Sequence, residues 1–312
     1  MIAYFILVHR YPEQFKRMFR TIYEPGNQYL VHVDKSSGEE LAADIAKFLQ
    51  PYQNAEILPA KRAVWGGFSL VDAELRGMKR LLEMDAGWTH YINLSGQDFP
   101  LKSQSYMRSF LEANYGKQFI RAVSQREERP DTLNRIEKHY LEGGGRIFRT
   151  GFARAFLTDT VPWIGTQWKV VDRAFCKFVT SDPRVSRFRK FYKTSFIADE
   201  AFFQTVMMNI GEHGKMMNDD LRTIDWVPDG EIKLRPRTYR ITDAHNLVKG
   251  RNFFARKFDA TEDDAILDFL EAHIKLTSER EASRRSPTVR GIKRRPKKVP
   301  ALSGPDTLPV AA

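Results

Sequence analysis

Ile92-Asn93-Leu94-Ser95-Gly96-Gln97-Asp98-Phe99-Pro100 is the stretch that decides the fold class. An apolar run that opens at Tyr91 and closes in a cluster of polar residues reads as a buried strand delivering polar groups at its end, and Pro100 prevents regular continuation. Two earlier stretches repeat the pattern, Ala3 to His9 and Val31-His32-Val33-Asp34-Lys35. Between them lie amphipathic stretches of helical period, from Pro12 to Ile22 and from Gly38 to Leu49, with Pro12 at a first helical position. Strands joined by helices predict an α/β fold, a mainly parallel central sheet flanked by helices. In open sheets of this kind ligands bind at the carboxyl edge, where these polar residues converge.

The same reading extends outward in both directions. Ala55 to Leu58 is a short strand, and Ser69 with Asp72 looks like an N-cap and its reciprocal acid, opening a helix to about Met84. That leaves Trp65-Gly66-Gly67 as a loop. Ser103 caps a helix to Asn114, Gln118 to Ala122 and Lys169 to Val171 are strands, Asp172 caps a helix to about Val179, and Val185 to Tyr192 is helical. Asp199 to Asn209 reads as a helix with Phe202, Phe203, Val206 and Met207 on one side. Leu221 to Trp226 is a short strand, and Thr261 with Asp264 opens a closing helix to about Ile274. The segment 124–162, which contains Gly143-Gly144-Gly145, has no clear period and reads as a mobile, substrate-covering loop region.

A chain of 312 residues with 42% apolar content can bury a full core, and one domain over residues 1–276 is expected. The net charge is +11, of which +7 falls in residues 280–312, where nine Lys and Arg face two acids. Residues 277–312 also carry several prolines and almost no large apolar side chain, so they read as a basic disordered tail. Such a tail can touch an anionic membrane or nucleic acid, the latter being the weaker expectation, or it can simply be solvated. No stretch approaches the roughly 20 apolar residues of a membrane span, and the Ile2 to Val8 run reads as a first strand rather than a leader. Cys176 is alone, so no internal disulfide can form, and a reducing, cytoplasmic setting is expected.

Several of these residues carry chemistry. Asp34 ends a strand and can accept hydrogen bonds from a uracil or ribose, or can serve as a turn cap. Trp65-Gly66-Gly67 offers backbone amides unshielded by side chains beside an indole, or is merely a tight turn. Asp199-Glu200 is the sharpest pair. Inverting transfer of a sugar to an alcohol needs one carboxylate to remove the hydroxyl proton, and Phe202 and Phe203 make the neighbourhood apolar, which raises a carboxylate pKa. Both acids also suit a helix N-terminus. The chain contains no Asp-x-Asp, and Asp243-Ala244-His245, the nearest metal-like spacing, has no third ligand in sequence. Arg235-Pro236-Arg237-Thr238 and Phe254-Ala255-Arg256-Lys257-Phe258-Asp259 supply cations that can take the place of a metal on a diphosphate, or else are surface charge.

In this order the segments resemble the core-2/I-branching β-1,6-N-acetylglucosaminyltransferase family, which includes the peptide O-xylosyltransferases. Trp65-Gly66-Gly67 and Asn93-Leu94-Ser95 with Asp98-Phe99-Pro100 look like the xylosyltransferase side, and Asp199-Glu200 like the branching enzymes. The resemblance implies a GT-A-type fold and inverting transfer from a UDP-sugar without a metal or other cofactor. The donor expected first is UDP-N-acetylglucosamine, with UDP-xylose the alternative, and the acceptor is a glycan or polysaccharide precursor. Carried onto this chain, Glu200 would be the general base, Asp34 a uridine contact, and Lys257 with Arg237 the diphosphate clamp. Val8, His9, Trp65, Gly66 and Asp98 complete the donor-side set. Gln97, Trp168, Asp199 and Trp226 form the acceptor side, with Gly165-Thr166-Gln167-Trp168 as the strand entry beside it.

Overall fold

A computed structural model describes residues 1–84, 87–229 and 233–285 of the chain. Ile2–Val8 (β1) is buried along its length except for the half-buried Leu7. A strand apolar on both faces needs cover on both faces, so β1 takes the centre of a sheet with helices above and below. Gln28–Val33 (β2) pairs with it in parallel, and Ala55–Ile57 (β3) extends that side. His90–Ser95 (β4) pairs in parallel on the other side.

Beyond β4, the chain continues through Asp98–Pro100 (β5), Lys117–Ile120 (β6), Val123–Ser124 (β7), Lys138–Gly143 (β8), Arg146–Ala153 (β9), Trp163–Ile164 (β10), Lys169–Asp172 (β11) and Lys215–Met217 (β12). The main sheet has the order β12-β6-β11-β4-β1-β2-β3, and only β11 runs against the others. Arg222–Ile224 (β13) heads a second sheet, Trp226–Asp229 (β14) and Lys233–Pro236 (β15) form a hairpin, and Phe254–Arg256 (β16) pairs with both β13 and β5. This small sheet stands at the carboxyl end of β4.

Helices cover the two faces. Pro12–Ile22 (α1) and Glu39–Leu49 (α2) lie on one face, Phe68–Glu83 (α3) on the other, and Gln104–Ala113 (α4) returns to the first. Asn134–Glu137 (α5) is a single turn, followed by Arg173–Ser181 (α6), Ser186–Tyr192 (α7), Phe202–Asn209 (α8), Ala244–Lys249 (α9) and Ala265–Arg285 (α10). Alternate β1 residues feed separate cores: Tyr4 and Ile6 pack with Phe15, Phe19, Met107 and Leu270, while Ala3 and Phe5 pack with Met78, Phe175 and Phe203. Gly77 lets α3 approach β1 closely, since a Cβ there would lie 2.5 Å from the Phe5 ring.

The α/β architecture is the one the sequence predicts, and its departures are local. Ser69 does not cap α3: Gly67 is the capping residue, and the Ser69 hydroxyl instead accepts the Val64 N–H at 2.7 Å. Asp72 pairs with Arg76 one turn on. The helix expected from Asp199 is a short 3-10 turn, Ala198–Glu200, before α8 begins. The 124–162 segment holds the β8–β9 hairpin. Helix α10 runs past Ile274 to Arg285, with Glu281 Oε2 accepting the Ser103 hydroxyl at 2.6 Å, so residues 277–285 are helix rather than tail. The rest of that tail, 286–312, lies outside the described residues.

Under the sheet, Lys169 Nζ is 2.8 Å from Glu74 Oε1, with both side chains buried and the Tyr91 hydroxyl donating to the same carboxylate. Glu74→Ala is expected to cost about 3–5 kcal/mol in urea unfolding by stranding the Lys169 charge, whereas Glu74→Leu with Lys169→Met should recover most of that loss. A double variant no more stable than the single one would contradict this.

Candidate active site

Asp98 is fully buried where β4 passes into the small sheet. A carboxylate in that position requires partners, and it has three. Oδ2 accepts the Ser95 N–H at 2.7 Å and lies 2.9 Å from Arg222 Nη1, and Oδ1 lies 3.3 Å from Arg256 Nη1. Arg256 also donates to the Ser95 hydroxyl at 2.5 Å. Both guanidinium groups cover Trp168, with Arg222 4.2 Å and Arg256 5.1 Å from its ring centroid. Trp168 is therefore 3% exposed, packed beneath the two cations.

Next along the chain, Lys257 makes no ion pair among the described residues. Its pKa is lowered by partial burial and by the like charges of Arg10 and Arg256. Arg10 is held by Gln97, whose Oε1 accepts from Nη2 at 2.9 Å. Gln97 is itself buried, and this bond orients Arg10. His9 registers the same field: its pKa falls to about 4 through partial enclosure, then Arg10 and Arg256, with Lys257 adding to the shift and Asp34 opposing it. Three cations thus converge at the carboxyl end of β1.

Asp34 caps the turn that follows β2. Its Oδ1 accepts the Ser36 N–H at 2.7 Å and the Ser36 hydroxyl at 2.6 Å, and Oδ2 accepts the Ala63 N–H at 3.1 Å. The capping alternative is the one the geometry displays. Val8 is buried, and its carbonyl accepts the Asp34 N–H at 2.9 Å, tying β1 to that turn. Arg237 is spent on two carboxylates, with Nη1 2.8 Å from Asp243 and Nη2 2.7 Å from Asp225. Only its backbone meets Lys257, whose N–H donates to the Arg237 carbonyl at 3.3 Å. Asp243 is therefore an arginine partner, and His245 packs on Phe269 with centroids 5.2 Å apart. Among the described residues no three His, Cys, Asp or Glu side chains group so as to hold a metal ion.

The acids reach this edge through the glycine loop. Gly66 has φ 77, and a Cβ there would fall 2.6 Å from the Phe196 ring, so glycine alone lets the loop dock. The Gly66 carbonyl accepts the Ile197 N–H at 2.7 Å, joining Trp65-Gly66-Gly67 to the turn that bears Asp199 and Glu200. On its other side, the Glu200 carbonyl accepts the Gly165 N–H at 2.8 Å, and the Trp168 N–H donates to the Thr166 hydroxyl at 3.3 Å. A few bonds therefore connect the acids to the Trp168–Arg256 stack.

The two acids differ sharply. Glu200 is partly exposed, and its Oε2 accepts from Arg135 at 2.7 Å. Asp199 is buried with Oδ1 unpartnered, and burial, reinforced by the Glu200 charge, pushes its pKa up to about 7. Trp65 and Trp226 remain open at 67% and 46% exposure. Sequence reasoning missed Arg10 and Arg222 as site residues, although Arg10 directly follows the β1 edge residue His9 and Arg222 is a cation inside a short strand.

Residues 2–249 match the profile of the family described as Branch: Core-2/I-Branching enzyme. The chain belongs to the core-2/I-branching enzyme family. Relatives of this family member include xylosyltransferase 2 of Mus musculus, 30% identical over 292 residues, covering 88% of this chain and 33% of that protein. Xylosyltransferase 1 of Homo sapiens is 29% identical over 291 residues, covering 88% and 30% respectively. The chain spans about a third of the length of these relatives. A crystal structure of S. aureus TarS 1–349 aligns over 63% of this chain and 59% of its own at 10% identity and a TM-score of 0.27, a likeness too slight to bear any conclusion.

In this core-2/I-branching family member, the folded Asp199 holds a proton more tightly than its usual value of 3.8 allows. The associated stability is present below that value and is lost as pH rises through about 7. Asp199→Asn is therefore expected to melt increasingly above the unsubstituted chain as pH rises from about 5 to about 8. Melting curves with a pH-independent gap would contradict the buried, protonated state.

Proposed function

We propose that this chain is a UDP-sugar glycosyltransferase of GT-A type that moves one sugar to an acceptor hydroxyl with inversion and without a metal ion. The observation that carries this reading is the convergence of Arg10, Arg256 and Lys257 at the carboxyl end of β1, with Lys257 unpaired among the described residues. A departing nucleoside diphosphate needs its growing charge met at that edge, and preorganised cations in a partly enclosed cleft can meet it. Arg237 would have to leave Asp225 and Asp243 to join them, so the clamp is assigned to Arg10 and Lys257, with Arg256 held in place by Asp98.

Glu200 is the proposed base. Arg135 holds Oε2, which keeps the carboxylate oriented and leaves Oε1 to accept the acceptor proton. The acceptor oxygen then attacks the anomeric carbon as the bond from that carbon to the diphosphate oxygen breaks, and UDP leaves toward Lys257. From an α-linked UDP-sugar the product is β-linked. Asp199, its carboxyl raised to about 7, adds less negative charge beside Glu200 than an ordinary carboxylate would. Exposed Trp226 offers the aromatic face on which an acceptor sugar can stack.

The names of the similar chains support UDP-xylose as donor, and the branching side of the resemblance supports UDP-N-acetylglucosamine as the second reading. The proposed acceptor is a glycan or polysaccharide-precursor hydroxyl. Among the described residues no helix is long and apolar enough to cross a membrane.

With the preferred donor, Glu200→Gln should lower turnover roughly 10²- to 10⁴-fold with little change in melting temperature. Near-full turnover by that variant, or an α-linked product by NMR, would sink the assignment.

A further inference from the structure

The β8–β9 hairpin has two unlike faces. Side chains alternate along each strand, so Tyr140, its cross-strand partner Arg149 and Glu142 share one face, and Leu141 with its cross-strand partner Phe148 shares the other with Arg146. The first face is seated on the body: Tyr140 is buried and stacks on Phe196 with centroids 5.2 Å apart, and Glu142 Oε2 accepts the Ser69 N–H at 3.1 Å. The second is left in water. There Leu141 is 51% and Phe148 53% exposed, and Phe152, in the bulged stretch of β9, is 74% exposed. A single exposed apolar side chain needs no explanation, but three gathered on one ribbon mark a docking surface.

The surroundings of that face are cationic. Arg62 and Arg146 are exposed, and neither makes an ion pair among the described residues. Arg62 reaches the hairpin tip, where a Cβ on Gly145 would fall 2.5 Å from its Nη1. Glu142, the acid of the hairpin, is turned onto Ser69 and leaves this positive charge uncompensated. An apolar protein partner would have to desolvate unpaired arginines, and a soluble polyanion would leave the phenylalanines in water. An anionic lipid surface satisfies both sets, with rings in the headgroup boundary and guanidinium groups on phosphates.

We propose that the outward face of the β8–β9 hairpin docks the protein on an anionic membrane surface. The hairpin is tied to the acid of the site: Tyr140 stacks on Phe196, the Phe196 N–H donates to the Arg135 carbonyl at 2.9 Å, and Arg135 pairs with Glu200. Docking there brings Glu200 to a glycan carried on that surface. This last consequence rests on the transferase reading, whereas the docking itself does not.

Co-sedimentation of the full chain with phosphatidylglycerol–phosphatidylcholine vesicles and with pure phosphatidylcholine vesicles, without donor sugar, tests the proposal. Phe148→Ser with Phe152→Ser should lower partitioning onto the anionic vesicles by roughly tenfold or more, since each ring removed forfeits its apolar burial. Arg62→Glu with Arg146→Glu should lower the preference for anionic over neutral lipid relative to the unsubstituted chain. All chains retain residues 286–312, so any binding by that segment cancels in the comparison. Phe148→Ser alone, checked by melting temperature, guards against a folding defect in the double variant, and UDP-sugar hydrolysis should be unchanged throughout. Equal partitioning by the phenylalanine variants, or no partitioning by the unsubstituted chain, would overturn the proposal. So would a concentration-dependent dimer that the phenylalanine changes dissolve, or their weakening of a soluble glycan acceptor with vesicle binding intact.

Discussion

A single buried carboxylate sets the geometry on which the site depends. Asp98, fully enclosed, joins the end of β4 to Arg222 of β13 and Arg256 of β16, so the main sheet and the small sheet share one charge cluster. Burying such a charge is costly unless every partner stays in place, and losing one partner costs more than the pair contributes. The cluster therefore favours one arrangement of the two sheets. Because Arg256 directly precedes Lys257, that arrangement also fixes where the unpaired cation stands.

The neighbouring acids divide their roles through their surroundings. Asp199 lies inside, near the Lys169–Glu74 pair, and its carboxyl is raised until it holds a proton near neutrality. Glu200 pairs with Arg135 and is partly wet. Of two adjacent acids, the enclosed Asp199 thus differs from Glu200 in surroundings and in its hold on a proton. The turn that achieves this is held from both sides by backbone hydrogen bonds to Gly66 and Gly165.

Where an element was set by its own residues, the sequence made it legible. β1, β2 and β4 announce themselves as apolar runs, and Ser103 and Asp172 cap α4 and α6 with their side chains, as their positions suggest. Ser69 failed as a cap because its hydroxyl closes the loop before the helix instead, a tertiary choice that local pattern cannot reveal. The β8–β9 ribbon escaped notice because its outward face is apolar and its inward face partly polar, the reverse of the usual alternation. In the site, Asp199, Glu200 and Lys257 were visible as residue types at element ends. The covering of Trp168 by Arg222 and Arg256, and the aiming of Arg10 by Gln97, arise from residues far apart in sequence and could not be read from spacing.

In the proposed reaction, protein cations, Lys257 foremost, meet the diphosphate in place of a metal ion. Calorimetric titration with UDP in excess EDTA, comparing the unsubstituted chain with Lys257→Gln, tests it most directly. UDP is expected to bind in EDTA, less tightly as salt rises, and Lys257→Gln to weaken the affinity by roughly tenfold, as loss of a charge-assisted hydrogen bond would. UDP binding that appears only on adding a divalent cation, or that is indifferent to Lys257, would contradict it.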